Sequence, residues 1–173
     1  NENDCNKENF QRERNIYIYK GENIIINRFG TGIQAAFSNE DLFFSNLIYG
    51  IKLQNKQLYP LFLSILNSQL VNFYINLKYR LRADGNFSNI TTGVIKSIPI
   101  PKELNKNLVT QISNLSKDLT DGKFEYSDKE AELNELIYDL YDLSYIQRQR
   151  IKDYFLPDGK KTATKSVIRN YEK

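Results

Sequence analysis

The most distinctive polar cluster in the chain is a basic, glycine-containing segment from Lys78 to Thr92. Within it, three cations precede the sequence Gly-Asn-Phe-Ser. Lysine charges suit phosphate groups, forked arginine donors suit guanine edges, and a side-chain amide can hydrogen-bond adenine. The segment is too long for a simple connector, and long loops in compact domains often carry function. We therefore predict DNA contacts from its side chains: Lys78, Arg80, Arg82, Asn86 and Ser88.

A second group of candidate DNA-binding residues lies upstream. Asn27 and Arg28 occupy a predicted hairpin turn, and Gln34 follows on the next strand. Their side chains can reach base edges, whereas Lys96 is predicted to contact phosphate together with Lys78. The nearby aromatic residues alternate or cluster in strand-like runs, so we expect core and cross-strand packing from them rather than base stacking: Tyr17, Tyr19, Phe43, Phe44 and Tyr49.

Several kinds of chemistry are excluded by composition. The chain has no His, and Cys5 is its one cysteine, which rules out a His or Cys zinc site, an internal disulfide and an imidazole base. Phe29-Gly-Thr-Gly32 is similar to a glycine-rich cofactor loop, but strands are predicted on both sides, which favours a hairpin turn. Pro157-Asp-Gly-Lys-Lys161 is interpreted as a turn. We predict no catalytic, cofactor-binding or metal-binding residue.

Length and charge suggest one domain, or one domain with an appendage. The chain has 173 residues, and domains usually contain about 100–200 residues. Residues 15–101 carry 8 basic and 4 acidic side chains, whereas residues 102–156 carry 8 and 11. A polyanion is therefore expected to face the first half. The apolar stretch Leu58 to Leu77 is interrupted by polar residues, so no membrane span and a cytoplasmic location are expected.

The elements that must position these residues begin with strands. Ile16–Tyr19, Asn23–Phe29, Ile33–Phe37 and Leu42–Leu53 are rich in β-branched and aromatic residues and predict a small antiparallel sheet. A long helix is predicted to open at Tyr59-Pro60. Its core-facing stripe follows helical spacing: Leu63, Leu66, Leu70, Phe73 and Leu77.

A boundary and a helical arm are predicted after the basic segment. Val94–Ile100 is expected to be extended because its prolines restrain the preceding residues. Beyond it, leucine-rich faces predict two antiparallel helices, the first ended by Asp121-Gly122. Capping-box sequences at Ser127–Glu130 and Ser144–Gln147 predict the starts of the second helix and of a short third one. The expected fold is α+β: a small antiparallel sheet packed with a long helix, followed by an antiparallel helical arm.

These elements, taken in order, resemble a known family. The resemblance rests on Asn23 to Leu53, on the helix Leu63-Ser-Ile-Leu-Asn-Ser-Gln-Leu-Val-Asn-Phe-Tyr74 and on the exit Lys96-Ser-Ile-Pro-Ile-Pro-Lys102. This part is similar to the TaqI-like C-terminal specificity domain, the target-recognition domain of adenine-specific DNA methyltransferases and of fused restriction-modification enzymes. Glu132 to Leu143 resembles the helical spacer that often follows. The resemblance covers roughly residues 16 to 155.

The resemblance implies a division of the chain and of the chemistry. Residues 1–14 are expected to end an upstream linker, 15–101 to form the DNA target-recognition domain, 102–156 the helical spacer or arm, and 157–173 a basic tail. The family's catalytic Asn/Asp-Pro-Pro-aromatic motif is absent from this sequence. Because the chain opens at Asn1 and contains no Met, we expect a fragment of a longer protein.

The expected partners are double-stranded DNA and an upstream methyltransferase domain of the same chain, which would hold S-adenosylmethionine and methylate adenine, with a fused endonuclease as an option. No cofactor is expected in this fragment, and no membrane partner. The alternative is a protein-interaction module that uses the helical arm and does not read DNA. Salt dependence of binding to mixed-sequence duplex separates the two hypotheses.

Overall fold

The strands form one sheet and one small separate pair. A computed structural model of the chain describes residues 15–79, 88–123 and 126–156. β1 (Asn23–Asn27) lies between β3 (Ala35–Ser38) and β4 (Ile48–Ile51), and both neighbours are antiparallel to it. β2 (Phe29–Gly30) pairs with β5 (Ser88–Asn89), again antiparallel. The predicted small antiparallel sheet is confirmed.

Six α-helices lie in the described residues, in two groups. Their bounds are α1 Tyr59–Asn67, α2 Gln69–Tyr79, α3 Thr92–Lys96, α4 Lys106–Thr120, α5 Tyr126–Leu140 and α6 Tyr145–Tyr154. The first three belong to the sheet-containing half, and the last three form the antiparallel helical segment that the sequence predicts. The α+β class is therefore confirmed. Of the helices described, none has the length and apolar character needed to cross a bilayer.

The sheet has one covered face and one open face. In β1, Ile24 and Ile26 are buried on the helix side, whereas Ile25 points to the opposite face. Ile25 lies opposite Ala36 on one neighbour and Gly50 on the other. Side chains alternate between the two faces of a strand, so the run of three isoleucines serves both. The helices cover the inner face. The outer face is open next to Asn27 and Ala36, while Phe44 packs against Gly50 further along it.

Two predicted extended segments are helical, which corrects the sequence analysis. Ile16–Tyr19 is a short 3₁₀ helix because the Asn15 side chain accepts a hydrogen bond from the Tyr17 backbone and caps it. Part of Val94–Ile100 lies in α3, where the Thr91 hydroxyl accepts a hydrogen bond from the Val94 backbone. The proline restraint acts on the residue directly before each proline, so it leaves Val94 to Lys96 free to be helical.

The predicted long helix is two helices that meet at Ser68. The Ser68 hydroxyl donates to Ile65 O (2.7 Å) and accepts from Val71 N (3.2 Å), which makes this residue the end of α1 and the N-cap of α2. Its backbone is extended, with φ −66° and ψ 150°. A serine with this geometry satisfies backbone groups at both helix ends, so the break costs little.

The break changes which residues face the core. Of the predicted stripe, only Leu66 is in the buried class. The other buried apolar positions are Tyr59, Leu61 and Ile65 in α1, and Val71 and Ile75 in α2. The predicted spacing assumes one continuous helix, whereas the extended residue at Ser68 rotates α2 relative to that pattern.

Two asparagines attach β3 to the helices. The Asn67 amide exchanges two hydrogen bonds of 2.8 Å with the backbone N–H and C=O of Ala35. The Asn72 amide accepts from Ile33 N (2.7 Å) and donates to Ile33 O (3.4 Å). Gly32 lies so close to Asn72 that a Cβ there would collide with the amide oxygen. The Leu-Asn-Ser sequence at the end of α1 therefore fixes the sheet edge to the helix pair.

The helical segment shares its core with the sheet. Its leucine-rich faces are buried as predicted, and a single hydrophobic cluster joins Ile112, Leu115, Leu133 and Ile137 to Ile65 of α1. α4 ends where the sequence indicates, next to Asp121-Gly122. α6 has the predicted capping box, in which Ser144 N donates to Gln147 Oε1 at 2.8 Å. α5 begins at Tyr126, one residue before the predicted cap.

Candidate nucleic-acid interface

The candidate site is one end of the sheet, which we call the turn end: residues 27–34, 45–48 and 88–90. Here β1 stops, β3 and β4 begin, and β5 joins from the far side of the basic segment. Arg28 connects these pieces through its backbone, because its N–H donates to Leu47 O (2.9 Å) and its C=O accepts from Ile90 N (2.7 Å). The turn end is thus braced by backbone hydrogen bonds on both sides of Arg28.

The Arg28 side chain is also held by hydrogen bonds. Its Nε donates to Asn89 Oδ1 (3.3 Å), and its Nη1 donates to Asn46 O (3.1 Å). The guanidinium carbon lies 5.5 Å from the centroid of the Phe29 ring. Among the described residues, Nη2 makes no hydrogen bond. An arginine held in this way keeps its charge and two terminal donors oriented for an acceptor outside the protein.

Asn27 is committed to the turn itself. Its Nδ2 donates to Phe29 O (2.9 Å) and Gly32 O (3.0 Å), while its Oδ1 accepts from Gln34 N (2.7 Å). These bonds use both ends of the amide to close the connection from β1 to β3. Asn27 therefore shapes the surface on which its neighbours stand, and its predicted DNA contact stays a prediction.

Gln34 presents an exposed side chain at the same end. Its backbone is held in both directions, since Asn27 Oδ1 accepts from its N–H and its C=O accepts from Asn27 N (3.2 Å). The side chain lies on the rim of an open concavity of about 420 Å³ on the outer face of the sheet. That concavity is lined mainly by apolar residues of β1 to β4 and of the turn before β4: Ile25, Ile26, Phe29, Ala35, Ala36, Leu47 and Ile48.

Lys78 lies at the start of the basic segment, in the last turn of α2. Its Nζ donates to Tyr74 Oη at 2.6 Å, and this hydrogen bond raises the pKa of the lysine. The Tyr74 hydroxyl in turn donates to Ser97 O (3.0 Å), and the Tyr79 hydroxyl donates to Ser97 Oγ (2.7 Å). Lys78 therefore stays positively charged and exposed. Its partner Tyr74 is in turn hydrogen-bonded to Ser97, the C-cap of α3.

The other predicted DNA-binding residues fall in two groups. Lys96 is exposed at the end of α3, next to the serine that anchors Tyr79. Arg80, Arg82 and Asn86 lie outside the described residues, and of Ser88 only the backbone is described, paired with Gly30. At one end of the basic segment the structure thus describes Lys78 in α2. At the other end it describes β5, which lies next to Arg28.

Sequence reasoning missed the apolar part of this surface. Phe29 and Leu47 are 43% and 55% exposed at the turn end. Each stands among turn-forming residues (Arg28-Phe29-Gly30 and Ser45-Asn46-Leu47), which is a signal that an apolar side chain is in a turn rather than in a strand interior.

Of the aromatic residues predicted for the core, some pack against it in the structure and others are exposed. Tyr49 packs against the core as expected. Phe43 is 73% exposed and stacks on Tyr19 with 5.3 Å between ring centroids, and Tyr17 is also exposed. The expectation of core packing is therefore wrong for Tyr17 and Phe43. They lie in a 3₁₀ helix and in the irregular segment before β4, not in strands.

No metal-binding cluster is found in the part of the chain that the structure describes. The residues in 15–79, 88–123 and 126–156 contain no group of three His, Cys, Asp or Glu side chains able to hold an ion. Gly30 and Gly32 connect strands and do not open a helix, as predicted. Burial raises the pKa of Tyr138 and of Tyr141 to about 12, but both lie in the helical segment, away from the turn end.

A family model matches more than half of the chain. The model of the TaqI-like C-terminal specificity domain matches residues 3–100 of the 173. The matched range contains the whole sheet, α1 to α3 and the turn end. A search of the curated proteins finds no match to the chain.

Proposed function

The chain belongs to the family of TaqI-like C-terminal specificity domains, and from this premise we propose that it reads DNA sequence for a restriction-modification enzyme. In this proposal the module holds a duplex against a catalytic domain and selects the site. It performs no chemistry itself. In this proposal the module is not itself an enzyme, and its residues determine where the enzyme acts.

The observation that carries the proposal is the construction of the turn end. The Arg28 guanidinium is fixed by Asn46 and Asn89, and the exposed Gln34 stands on a backbone fixed by Asn27. Both side chains project from the same sheet end, which the basic segment adjoins. Fixed polar groups on rigid elements are what base-edge recognition requires, because ordering a mobile side chain on binding costs free energy.

Phosphate contacts complete the proposed interface. Lys78 and Lys96 are exposed cations at the two helix ends that flank the basic segment. Arg80, Arg82, Asn86 and Ser88 are proposed to enter the major groove from that segment, beside the turn end. Lysines at the flanks set the register of the duplex, and the arginines and amides contact base edges.

The parent enzyme is proposed to be a cytoplasmic DNA adenine-N6 methyltransferase. Its catalytic domain, upstream in the same chain, would bind S-adenosylmethionine, and an endonuclease activity would be a possible fusion. A methyltransferase must take its target base out of the stack. In the proposed division of labour, the module keeps the duplex in register while that happens.

The alternative, a protein-interaction module, would use the apolar faces of the helical segment. Those faces are buried in the chain's own core, together with Ile65. A partner would therefore have to bind other residues. This favours DNA reading as the first hypothesis to test.

Binding to duplex at two salt concentrations tests the proposal. The chain should bind a mixed-sequence 20-base-pair duplex with an affinity that falls steeply with salt, because bound phosphates release counterions. Arg28→Ala and Lys78→Ala should weaken binding, whereas Lys117→Ala, an exposed cation on α4, should not. Thermal melting of each variant checks that it folds. Salt-independent binding, or none by the parent chain, would contradict the proposal.

The same assay extends to the basic segment. If Arg80 or Arg82 contacts a guanine, its replacement by Ala should cost about 1–3 kcal/mol at one base position. If it contacts phosphate, all sequences should weaken alike and the salt slope should fall by about one unit. Should both variants match the parent, base reading would have to come from the turn end.

A further inference from the structure

The outer-face concavity differs in character from the rest of the candidate interface. Seven of its ten lining residues are apolar, and the three polar ones are Asn27, Arg28 and Gln34. Asn27 and Arg28 are half-buried and bonded to the turn, whereas Gln34 is exposed. The surface therefore offers one accessible amide beside an apolar hollow. The Arg28 guanidinium lines the same concavity, with its Nε and Nη1 already hydrogen-bonded within the protein. A base edge with both polar and apolar parts matches this combination of an exposed amide and an apolar hollow.

The position of Gln34 is unusually well fixed for a residue outside a helix. Its own N–H and C=O are bonded to Asn27. The residues on either side are bonded as well, Ile33 to Asn72 and Ala35 to Asn67. Three consecutive backbone positions are thus held, so the rotamers of the side chain are the main freedom left to lose on binding.

Resting on the proposed DNA-reading function, we infer that this surface reads one adenine·thymine pair in the major groove, with Gln34 on the adenine and the apolar hollow around Leu47 on the thymine methyl. A glutamine amide matches the N6 donor and N7 acceptor of adenine. The C5-methyl of the paired thymine projects into the same groove and needs an apolar contact. Leu47 and Phe29 are exposed enough to provide it.

A guanine·cytosine pair fits this surface less well. Cytosine places an N4 amino group where thymine has O4 and has no methyl group beside it. Against Ala36 and Leu47 this amino group would lose water without gaining a partner, which is unfavourable. The apolar lining thus adds to the preference of Gln34 for an adenine·thymine pair.

The test begins with selection of preferred sequences by the chain from 20-base-pair duplexes with a randomised centre. Uracil then replaces thymine at each selected thymine in turn, which removes only the methyl group. We expect one position at which uracil lowers affinity roughly three- to fivefold, the effect of one buried methyl group. At the same base pair, Gln34→Ala should reduce discrimination by about tenfold or more.

Two further variants separate a reading role from a structural one. Leu47→Ala should abolish the difference between thymine and uracil while leaving the preference for adenine. Gln34→Glu should shift the preference at that pair toward cytosine, whose N4 donates to a carboxylate. Gln57→Ala, an exposed glutamine far along the chain, is the control and should change nothing.

The outcomes distinguish the two proposals. If the chain selects a sequence with salt-dependent affinity but no uracil effect appears, or Gln34→Ala keeps the selected sequence, the A·T inference is overturned and the DNA-reading function stands. If nothing is selected and binding does not depend on salt, both are overturned. A uracil effect at one pair that Gln34→Ala also relaxes supports both.

Discussion

At the scale of single residues, side-chain amides do much of the work that backbone pairing does elsewhere. Asn67 satisfies the N–H and C=O of Ala35, and Asn72 does the same for Ile33. A buried backbone group that loses its partner costs more than an average hydrogen bond contributes. Asn67 and Asn72 therefore have a structural role, because they hold the edge of the sheet against the helices.

The first prediction concerns Asn67. Asn67→Ala should lower the free energy of unfolding by about 1–3 kcal/mol, because Ala35 loses both partners. Asn114→Ala, an exposed position on α4, should change it by less than about 0.5 kcal/mol. Urea titration followed by circular dichroism measures both. Equal midpoints for the two variants would show that water replaces the amide without cost.

A second prediction concerns Tyr138, which is fully buried and donates to Gln69 Oε1 at 3.0 Å. Burial, followed by the nearby Glu135 carboxylate, raises the pKa of its phenol to about 12. The unfolded chain loses this proton near its ordinary pKa of about 10. The contribution to stability is therefore full below pH 10 and is lost as pH rises toward about 12.

Tyr138→Phe should make the decline of stability across that alkaline range shallower. The measurement is urea unfolding at a series of pH values from about 9 to 12. Tyr145→Phe, at a side chain that is 75% exposed, serves as control and should leave the slope as it is. An unchanged slope in Tyr138→Phe would mean that the chain opens around this residue before the phenol ionises.

At the scale of elements, Ser68 decides the geometry of the central helices. Ser68→Ala should destabilise the chain by about 1–2 kcal/mol, since α2 loses its N-cap. Thr110→Ala, in the exposed part of α4, should be neutral. Differential scanning calorimetry of the two variants provides the comparison. A Ser68→Ala variant as stable as the parent would indicate that α1 and α2 can merge.

The elements also show what sequence patterns can and cannot specify. Long periodic faces, as in α4 with Ile112 and Leu115, identify a helix and its buried side together. Short segments depend on one local hydrogen bond, and Asn15 turns a strand-like run into a 3₁₀ helix. The break at Ser68 carries no proline or glycine, so periodicity alone cannot reveal it. Hydrogen bonds between residues two or three positions apart decide these cases.

The candidate site depends on hydrogen bonds between residues that are far apart in the sequence. Arg28 and Gln34 were identifiable because polar residues at a hairpin turn face solvent. The groups that fix Arg28, namely Asn46 and Asn89, come from segments 18 and 61 residues away from it. No local pattern connects such pairs. The apolar hollow beside Gln34 is likewise formed by residues of four strands and a turn, and it is visible only once the strands are paired.

At the scale of the whole molecule, the sheet half and the helical half share one core. The predicted boundary near residue 101 stays a prediction of function, while α1 packs on α4 across it. A chain ending at residue 101 would expose Leu61 and Ile65, which are fully buried. Exposure of that apolar area removes a large part of the driving force for folding.

We therefore predict that residues 1–101 alone do not unfold cooperatively, whereas a chain ending at residue 156 does. Urea titration with two probes, near- and far-ultraviolet circular dichroism, measures cooperativity. A coincident, steep transition for the shorter chain would show that the helical segment is an accessory to an independent domain.

The attachment of β3 to Asn67 and Asn72 also bears on how the molecule behaves in a crowded solution. Open sheet edges invite strands from other molecules, and this is a common start of polymerisation. Here the outward backbone groups of Ile33 and Ala35 are already occupied by side-chain amides, which cannot pass the pattern on to a further strand. At these two positions the edge is occupied without a barrel or a covering strand. Replacing these asparagines thus frees edge backbone groups to pair with strands of other molecules, and it also lowers stability.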